Sequence, residues 1–118
     1  MFSRDVLKID AAAVAETIQA QIREQVLGTL RRKGAVVGLS GGIDSSVVAA
    51  LCARALGKER VLGLFMPEHH SSDDSLMLGQ MLVSAIGIDA QIENLGPTLE
   101  AAGCYRRQEE AIRTVFPE

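Results

Sequence analysis

The feature that most restricts the fold is a glycine-rich turn, Ser40 to Asp44, which joins a short apolar segment to a helical one. The apolar segment, Ala35 to Leu39, is rich in β-branched residues, and this predicts a strand buried on both faces. After the turn, apolar residues recur with helical spacing. They are Val47, Val48, Leu51, Cys52 and Ala55. A strand, a tight glycine turn and a helix in this order are typical of a parallel α/β unit.

The same alternation extends along the chain. A helix is predicted from about residue 10 to residue 33, capped by Asp10 and ended by Gly34 in a left-handed conformation. After the glycine-rich turn and its helix we expect a strand, a helix, a strand and a last helical region interrupted near Gly103. Their ranges are 61–66, 73–86, 88–94 and 97 onwards. Strands separated by single helices imply right-handed crossovers, and therefore a parallel, Rossmann-like sheet.

Side-chain burial in the 73–86 helix is predicted from its apolar spacing. The expected buried or half-buried positions are Leu76, Met77, Gln80, Met81 and Ala85. The methionines, Met66 among them, are interpreted as flexible filling of an aliphatic core.

The length of the chain and the character of its last residues indicate how it is organised into domains. The 118 residues suffice for one domain, 1–118, and not for two. The last residues, Arg113 to Glu118, suggest an apolar strand about to continue, and a sheet of three parallel strands covers little surface. We therefore expect an N-terminal portion of a longer protein, with dependence on oligomerisation as the alternative.

Composition excludes several classes of function. The net charge of −3, from 12 basic and 15 acidic residues, argues against nucleic acid as the principal partner. No apolar run approaches the roughly 20 residues needed to cross a bilayer, and the N-terminus lacks a secretory apolar region. Cys52 and Cys104 follow no metal or redox spacing, so we expect reduced thiols in a cytoplasmic protein.

The glycine-rich turn has the physical properties of an anion site. It lies at the carboxyl end of a parallel strand, where ligands of α/β sheets bind. We expect Gly41 and Gly42 to adopt positive φ and expose their N–H groups, while the next helix directs its positive end at the same space. Ser40, Ser45 and Ser46 add hydroxyl donors. Asp44 would repel a phosphate unless a cation lay between them, which points to Mg²⁺.

Other loop types were compared with this one. A Walker A loop needs Gly-Lys-Ser/Thr, and no lysine lies between Lys33 and Lys58. A dinucleotide fingerprint fails because Ser40 stands where its second glycine belongs. Gly38 to Gly42 matches G-x-S-x-G, the nucleophile elbow of α/β-hydrolases, which leaves Ser40 as an alternative nucleophile. A tight turn without ligand is the remaining alternative.

The string Ser40-Gly-Gly-Ile-Asp-Ser-Ser46 resembles the pyrophosphate loop of the N-type ATP pyrophosphatases, which include NAD synthetases, GMP synthetases, asparagine synthetases and tRNA-modifying adenylases. The flanks, from Gly38 to Leu51 and from Val61 to Pro67, are similar to the first half of an NAD synthetase. The resemblance covers roughly Val14 to Asn94. It implies a three-layer α/β domain of the adenine nucleotide alpha hydrolase-like type, truncated here, and a homodimer.

The resemblance also assigns residues. It implies an ATP phosphate cradle followed by a Mg²⁺ ligand at Asp44, and an adenine contact at Phe65 and Met66. The cradle is Gly38, Leu39, Ser40, Gly41, Gly42, Ile43, Asp44, Ser45 and Ser46. The family's second acidic metal ligand, its dinucleotide-gripping basic residues and its C-terminal lid have no counterpart in the 118 residues, and Glu68-His69-His70 departs from the family's pattern after the second strand.

The implied activity is that of an ATP-dependent ligase. The carboxylate of nicotinic acid adenine dinucleotide would attack the α-phosphate of ATP, pyrophosphate would leave, and ammonia would displace AMP to give NAD. No side-chain nucleophile is needed. The alternatives are a nucleotide-binding fragment without turnover, or a sister ATP pyrophosphatase of the GMP synthetase or tRNA-thiolation kind.

Two further groups of polar residues are interpreted structurally. His69 and His70 are adjacent, so on an extended chain they point apart and a shared metal ion is not favoured. The segment up to Asp74 is interpreted as a loop followed by a helix N-terminus, with metal ligands or a substrate-facing loop over ATP as the alternatives. Tyr105-Arg106-Arg107 is expected on an exposed helix face.

Overall fold

The computed structural model describes residues 3–117, in an alternating α/β arrangement. Three strands are present, β1 (Ala35–Gly38), β2 (Val61–Phe65) and β3 (Asp89–Ile92). Five α-helices flank them: α1 (Ala11–Arg23), α2 (Ile43–Leu56), α3 (Asp73–Ile86), α4 (Gly96–Ala101) and α5 (Cys104–Val115). Short 3-10 turns, Arg4–Leu7 and Lys58–Arg60, lie before α1 and before β2.

The sheet has the order β1-β2-β3 and both pairings are parallel. Ala35 is in register with Val61, and Leu62 with Asp89. The predicted parallel, Rossmann-like α/β class is therefore confirmed. The buried core joins the sheet to α2 and to the residue before β3. It consists of Val37, Leu39, Ala49, Cys52, Ala55, Leu56, Val61, Phe65 and Ile88.

The first helix is shorter and less regular than predicted. Asp10 caps it as expected, because its Oδ1 accepts a hydrogen bond from the N–H of Ala13 at 3.1 Å. However, α-helical geometry ends at Arg23, a π-helical segment covers Glu24–Thr29, and the left-handed residue is Arg31, with φ of 50°. The predicted span of 10–33 and the role given to Gly34 are therefore wrong. Gly34 is instead a point of close approach, since a Cβ there would lie 2.2 Å from the carbonyl oxygen of Arg60.

Glycines stand at the other helix ends, and the predicted interruption near Gly103 is confirmed. Gly57 follows α2 and Gly87 follows α3, both with positive φ, and Gly103 separates α4 from α5 with φ of 72°. Each allows the chain to reverse without the steric penalty that a Cβ would bring. The strand predicted near Arg113 is wrong, because α5 continues to Val115; Glu118, at the end of that prediction, lies outside the described residues.

The buried face of α3 also differs from the prediction. Met77 and Met81 are 52% and 62% exposed, and Gln80 and Ala85 are exposed as well. Leu76 is half-buried as predicted, and Gly79 is buried. The reason is that Gly79 brings the helix against the Phe65 ring, and a Cβ at that position would lie 2.3 Å from Phe65 Cε1. Because of this contact, the face of α3 that packs against the sheet is not its most apolar face. The side chains on it are Leu76, Leu82, Val83 and Ile86.

Burial of β1 and α2 is one-sided. Val37 is buried, but Val36 on the other face of β1 is 64% exposed, so the prediction of a strand buried on both faces is wrong. Two right-handed crossovers that step in the same direction carry both helices to one face of a sheet. In α2, Val47 and Val48 are about half exposed, and Ala49 and Leu56 are buried in their place. Between residues 3 and 117, none of the helices has the length and apolar character needed to span a membrane.

Candidate functional site

A cleft of about 490 Å³ opens at the carboxyl ends of β1 and β2. Its volume falls within the range of small-molecule sites. Five of the predicted site residues line it: Gly38, Leu39, Ser40, Phe65 and Met66. Six further lining residues were not predicted as site residues. They are Pro67, His70, Ser71, Ser72, Ser75 and Leu76.

The glycine-rich turn is held by its own serine hydroxyls. Ser40 Oγ lies 3.1 Å from Ser45 Oγ and accepts a hydrogen bond from the N–H of Gly42 at 3.3 Å. The N–H of Ser40 donates to Ser45 Oγ at 3.2 Å, and Ser46 Oγ donates to the Gly42 carbonyl at 2.7 Å. The turn is therefore preorganised, and the Ser46 hydroxyl is engaged inside the first turn of α2.

The two glycines of the turn differ from each other. Gly41 has φ of 78°, as predicted. Gly42 has φ of −88° and ψ of 170°, an extended conformation in the N-cap position of α2, so the prediction of a positive φ at Gly42 is wrong. The N-cap position requires extended backbone because its carbonyl accepts the first bonds of the helix. Gly41 alone makes the left-handed reversal.

Two close contacts fix the walls of the cleft. A Cβ on Gly41 would lie 2.3 Å from the carbonyl oxygen of Ser75, so the turn touches the backbone of the first turn of α3. A Cβ on Gly38 would lie 3.2 Å from Met66 Cε, so the methionine side chain passes over the end of β1. The cleft is thus bounded by the glycine-rich turn on one side and by the start of α3 on the other.

The remaining predicted residues lie beside the cleft and do not line it. Ile43 is 81% exposed, and Asp44 is exposed in the first turn of α2, where a carboxylate favours the helix dipole. Among residues 3–117, no group of three or more His, Cys, Asp or Glu side chains is placed to hold a metal ion. A Mg²⁺ ion bound with a nucleotide needs only one or two protein carboxylates, because phosphates and water complete its shell. An isolated Asp44 is compatible with such a site.

The start of α3 supplies the lining that sequence reasoning missed. Ser72 caps this helix, since its Oγ accepts from the N–H of Ser75 at 3.2 Å and lies 2.8 Å from Ser75 Oγ. Ser71 lies immediately before this cap. The signal was present in the sequence as Ser71-Ser-Asp-Asp-Ser75, a helix N-terminus directly after a strand end. The N-termini of α2 and α3 both border the cleft, which makes it favourable for an anion.

The loop between β2 and α3 is tied to α5. Tyr105 Oη donates to Glu68 Oε2 at 2.8 Å and accepts from the N–H of His69 at 3.2 Å. The His69 ring stacks on the Tyr105 ring with centroids 4.4 Å apart, and the His70 ring meets it edge-on at 5.5 Å. The expectation of an exposed helix face is wrong for Tyr105, which is half-buried against this loop.

These contacts alter two pKa values. The hydrogen bond from the Tyr105 hydroxyl, helped by the N–H of His70 and by the two histidines, lowers the pKa of Glu68. Desolvation raises the pKa of Tyr105, and the hydrogen bond to Glu68 raises it further. The pair is therefore a neutral phenol donating to an ionised carboxylate across neutral pH.

Ser40 lacks the surroundings of a hydrolase nucleophile. Within the described part of the chain, Ser40 Oγ makes its hydrogen bonds to Ser45 and Gly42, and no histidine nitrogen bonds to it. The α/β-hydrolase alternative therefore has no support in the local geometry.

A second, more open cavity of about 950 Å³ lies at the opposite edge of the sheet. Arg31, Lys33 and Arg60 line it together with Glu59 and Asp89. It is at the amino ends of the strands, away from the edge where ligands of parallel sheets bind, and its charges are mixed. We assign the candidate site to the cleft at the carboxyl ends.

Comparisons with known proteins show which family the chain resembles. A sequence profile described as NAD synthase matches residues 14–115. The NH3-dependent NAD(+) synthetase of Mesorhizobium japonicum is 61% identical over 113 residues, which are 96% of this chain and 35% of that protein. The NH3-dependent NAD(+) synthetase of Rhizobium meliloti is 51% identical over 118 residues, again 35% of its length.

A solved structure shows the same fold. The NH3-dependent NAD synthetase from Campylobacter jejuni superposes with a TM-score of 0.75 at 34% identity, covering 83% of this chain and 42% of that one. The chain thus spans about a third of the length of the two rhizobial relatives it matches.

Proposed function

This chain belongs to the NAD synthase family, and from that membership we propose that it forms the ATP-binding part of an ammonia-dependent NAD synthetase. Residues 1–118 would be the N-terminal portion of a single ATP-pyrophosphatase-type domain. The observation that carries the proposal is the cleft at the carboxyl ends of β1 and β2, which joins a preorganised glycine turn to an apolar wall of Phe65 and Met66.

The phosphate end of the cleft follows from the glycine-rich turn. Gly38 to Ser46 would hold the triphosphate of ATP through backbone N–H groups, the Ser40 and Ser45 hydroxyls and the N-terminus of α2. The hydrogen bonds between Ser40, Ser45 and Gly42 fix these donors before the nucleotide arrives, so little reorganisation is needed. Asp44, in the first turn of α2, would hold Mg²⁺, which when bound neutralises charge on the phosphates.

The apolar end of the cleft suits a nucleobase. Phe65 is buried and its ring is fixed by the contact with Gly79, while Met66 lies over Gly38. A flat apolar surface next to exposed strand-end backbone is the combination that adenine requires, since the ring packs and its edge forms hydrogen bonds. We propose that adenine lies beside Phe65 and Met66.

The reaction proposed is carboxylate activation followed by amide formation. The carboxylate of nicotinic acid adenine dinucleotide attacks the α-phosphorus of ATP, the bond from that phosphorus to the bridging oxygen breaks, and pyrophosphate leaves. Ammonia then attacks the acyl carbon, AMP leaves, and the ammonia gives up a proton to yield NAD. The residues of this chain would act by positioning and by electrostatic stabilisation of the leaving pyrophosphate, without a covalent enzyme intermediate.

The proposal includes a cytoplasmic homodimer. Cys52 and Cys104 are both free thiols in the structure, which is in keeping with a reducing compartment. Light scattering after size exclusion on the full-length gene product measures the oligomeric state, and a monomer at micromolar concentration would contradict the dimer.

The test uses the full-length gene product and measures pyrophosphate release with ATP, nicotinic acid adenine dinucleotide and ammonium. We expect release that depends on all three, and a loss of at least about a hundredfold in kcat/KM for Asp44→Asn, the size typical of a removed electrostatic group. Asp89→Asn is the matched control, because Asp89 is an exposed aspartate at the opposite edge of the sheet. Full activity of Asp44→Asn would remove Asp44 from the proposal.

The acceptor specificity is tested in the same assay. Replacing the dinucleotide with xanthosine monophosphate or with an unmodified tRNA separates NAD synthesis from the sister chemistries. Pyrophosphate release with either of these and none with the dinucleotide would overturn the proposed substrate. Binding of ATP without release under any of these conditions would favour a nucleotide-binding protein without turnover.

A further inference from the structure

The loop Pro67 to Ser72 has two sides with different partners. On one side, His70, Ser71 and Ser72 line the cleft. On the other side, Glu68 and His69 contact Tyr105 on α5, a residue that is not part of the cleft lining, and the ring of His70 also meets the Tyr105 ring edge-on. Tyr105 can therefore affect a ligand in the cleft only through its contacts with this loop.

The four N–H groups from Glu68 to Ser71 are all hydrogen-bonded, and the side chains of Tyr105 and Glu68 accept two of these bonds. The N–H of Glu68 donates to Ser71 Oγ at 3.0 Å, and the N–H of Ser71 donates to the Glu68 carbonyl at 3.0 Å. The two N–H groups between them have side-chain acceptors: His69 donates to Tyr105 Oη, and His70 donates to Glu68 Oε1 at 3.0 Å. The tyrosine–glutamate hydrogen bond joins these two acceptors into one unit.

Ring packing adds a second constraint. The stack of His69 on Tyr105 is nearly parallel, at 12° between planes, and holds the His69 ring on the side away from the cleft. Gly96, at the start of α4, makes room for it, because a Cβ there would lie 2.9 Å from His69 Cδ2. The His70 ring meets the Tyr105 ring edge-on, so the turn that carries both histidines is held against α5 while His70 also lines the cleft.

From these contacts we propose that Tyr105 and Glu68 are positioning residues that hold the Pro67–Ser72 loop in the shape that presents His70 and Ser71 to the nucleotide. The proposal rests on the proposed function only in taking ATP as the ligand. Neither residue touches the ligand; their effect is to reduce the ordering that binding would otherwise require. The carboxylate form of Glu68 is favoured by the same geometry.

The size of the effect follows from the exposure of the loop. His69 is largely exposed, so water replaces a lost acceptor and no buried polar group is stranded. The loss is then that of a net hydrogen bond at the loop, which corresponds to an affinity change of about three- to tenfold. We expect the KM for ATP to rise by about fivefold in Tyr105→Phe, with kcat changed by less than about twofold.

The experiment compares four single variants and one double variant of the full-length gene product with the parent. Tyr105→Phe keeps the stacked ring and removes only the hydroxyl. Thr114→Val is its matched control, since it removes a hydroxyl from the same helix whose bond, to the Glu110 carbonyl at 2.9 Å, stays within α5. Glu68→Ala removes both glutamate contacts. Glu68→Gln keeps an acceptor for His70 and an amide group that can bond to the Tyr105 oxygen.

Two measurements are made on each variant. Hydrogen exchange of peptides covering 67–75 reports the loop directly, without any need for activity. The KM for ATP, or its Kd by calorimetry, reports the cleft. We expect faster exchange and weaker ATP binding in Tyr105→Phe and Glu68→Ala, parent-like values in Thr114→Val, and near-parent values in Glu68→Gln. The double variant Tyr105→Phe with Glu68→Ala is expected to be little worse than either single variant.

The outcomes separate the two proposals. An inactive parent protein that neither binds ATP nor releases pyrophosphate contradicts the proposed function, and the loop exchange alone then decides the role of Tyr105. Equal exchange at 67–75 in the parent and Tyr105→Phe overturns that role. So does faster exchange accompanied by unchanged ATP affinity in an active protein, because the loop shape would then have no bearing on the nucleotide.

Discussion

Gly41 combines a positive φ with a close approach to the backbone of α3, so a side chain is poorly tolerated there. Replacing it by alanine places a Cβ on a backbone with φ of 78°, and that Cβ would lie 2.3 Å from the Ser75 carbonyl oxygen and 2.8 Å from Ser75 Cα. The neighbour is backbone, so rotation of a side chain cannot relieve the contact. Either the glycine-rich turn or the first turn of α3 must move.

The expected cost has two parts and one offset. A left-handed conformation costs an L-residue roughly 1–2 kcal/mol, and overpacking against a fixed neighbour costs typically about 1–3 kcal/mol. Alanine restricts the unfolded chain and returns about 0.4–1 kcal/mol. The free energy of unfolding should therefore fall by about 1–4.5 kcal/mol. Because Ser75 lines the cleft, ATP binding should weaken in the same variant.

Gly28→Ala provides the matched control. Gly28 lies in the helical segment after α1, its φ is not positive, and no atom lies within 4 Å of a Cβ built there. Alanine should leave stability unchanged or raise it by up to about 1 kcal/mol. Urea unfolding followed by circular dichroism, with ATP calorimetry, measures both variants. If Gly41→Ala proved as stable as Gly28→Ala and bound ATP normally, the close approach of the turn to α3 would be refuted.

Two further predictions concern the wall of the cleft and its pH dependence. Gly79→Ala would push its Cβ against the buried Phe65 ring and should lower the free energy of unfolding by about 1–3 kcal/mol. The double variant Gly79→Ala with Phe65→Leu should recover part of this loss. Equal stability of the parent and Gly79→Ala would contradict the contact. The pKa of Glu68 is lowered in the folded protein, chiefly by the Tyr105 hydroxyl, so the stabilisation it provides is present above its ordinary value of 4.5 and is lost as pH falls through the lowered value. The stability difference between the parent and Tyr105→Phe should therefore shrink in acid. A difference that stays constant in unfolding curves between pH 6 and pH 3 would refute the contribution of the Glu68 carboxylate.

Much of the local structure could be predicted from the sequence. The third helix was predicted over 73–86 and is found at Asp73–Ile86. The order of strands and helices and the site of the glycine-rich turn were also correct. These features depend on capping, glycine conformation and periodic burial, which act over a few residues and are visible in any short window of the chain.

The candidate site could be predicted only in part. Ser40 and the strand end at Phe65 were identified because motif and strand lie next to each other in the chain. Ser72 and Ser75 were missed as lining residues, since nothing within the loop shows that the first turn of α3 folds against Gly41. Asp44 stays a prediction as a Mg²⁺ ligand.

The sequence by itself determined the elements, their order and the chemistry available at the strand ends. Only the tertiary structure decided which face of α3 is buried, where Gly34 is needed, and that Tyr105 bonds to Glu68, 37 residues earlier in the chain. The reason is the distance along the chain over which each kind of rule applies. Local rules describe how a residue meets its neighbours within about one helical turn, whereas close approaches between elements depend on the path of the whole chain and on the volume left at each contact.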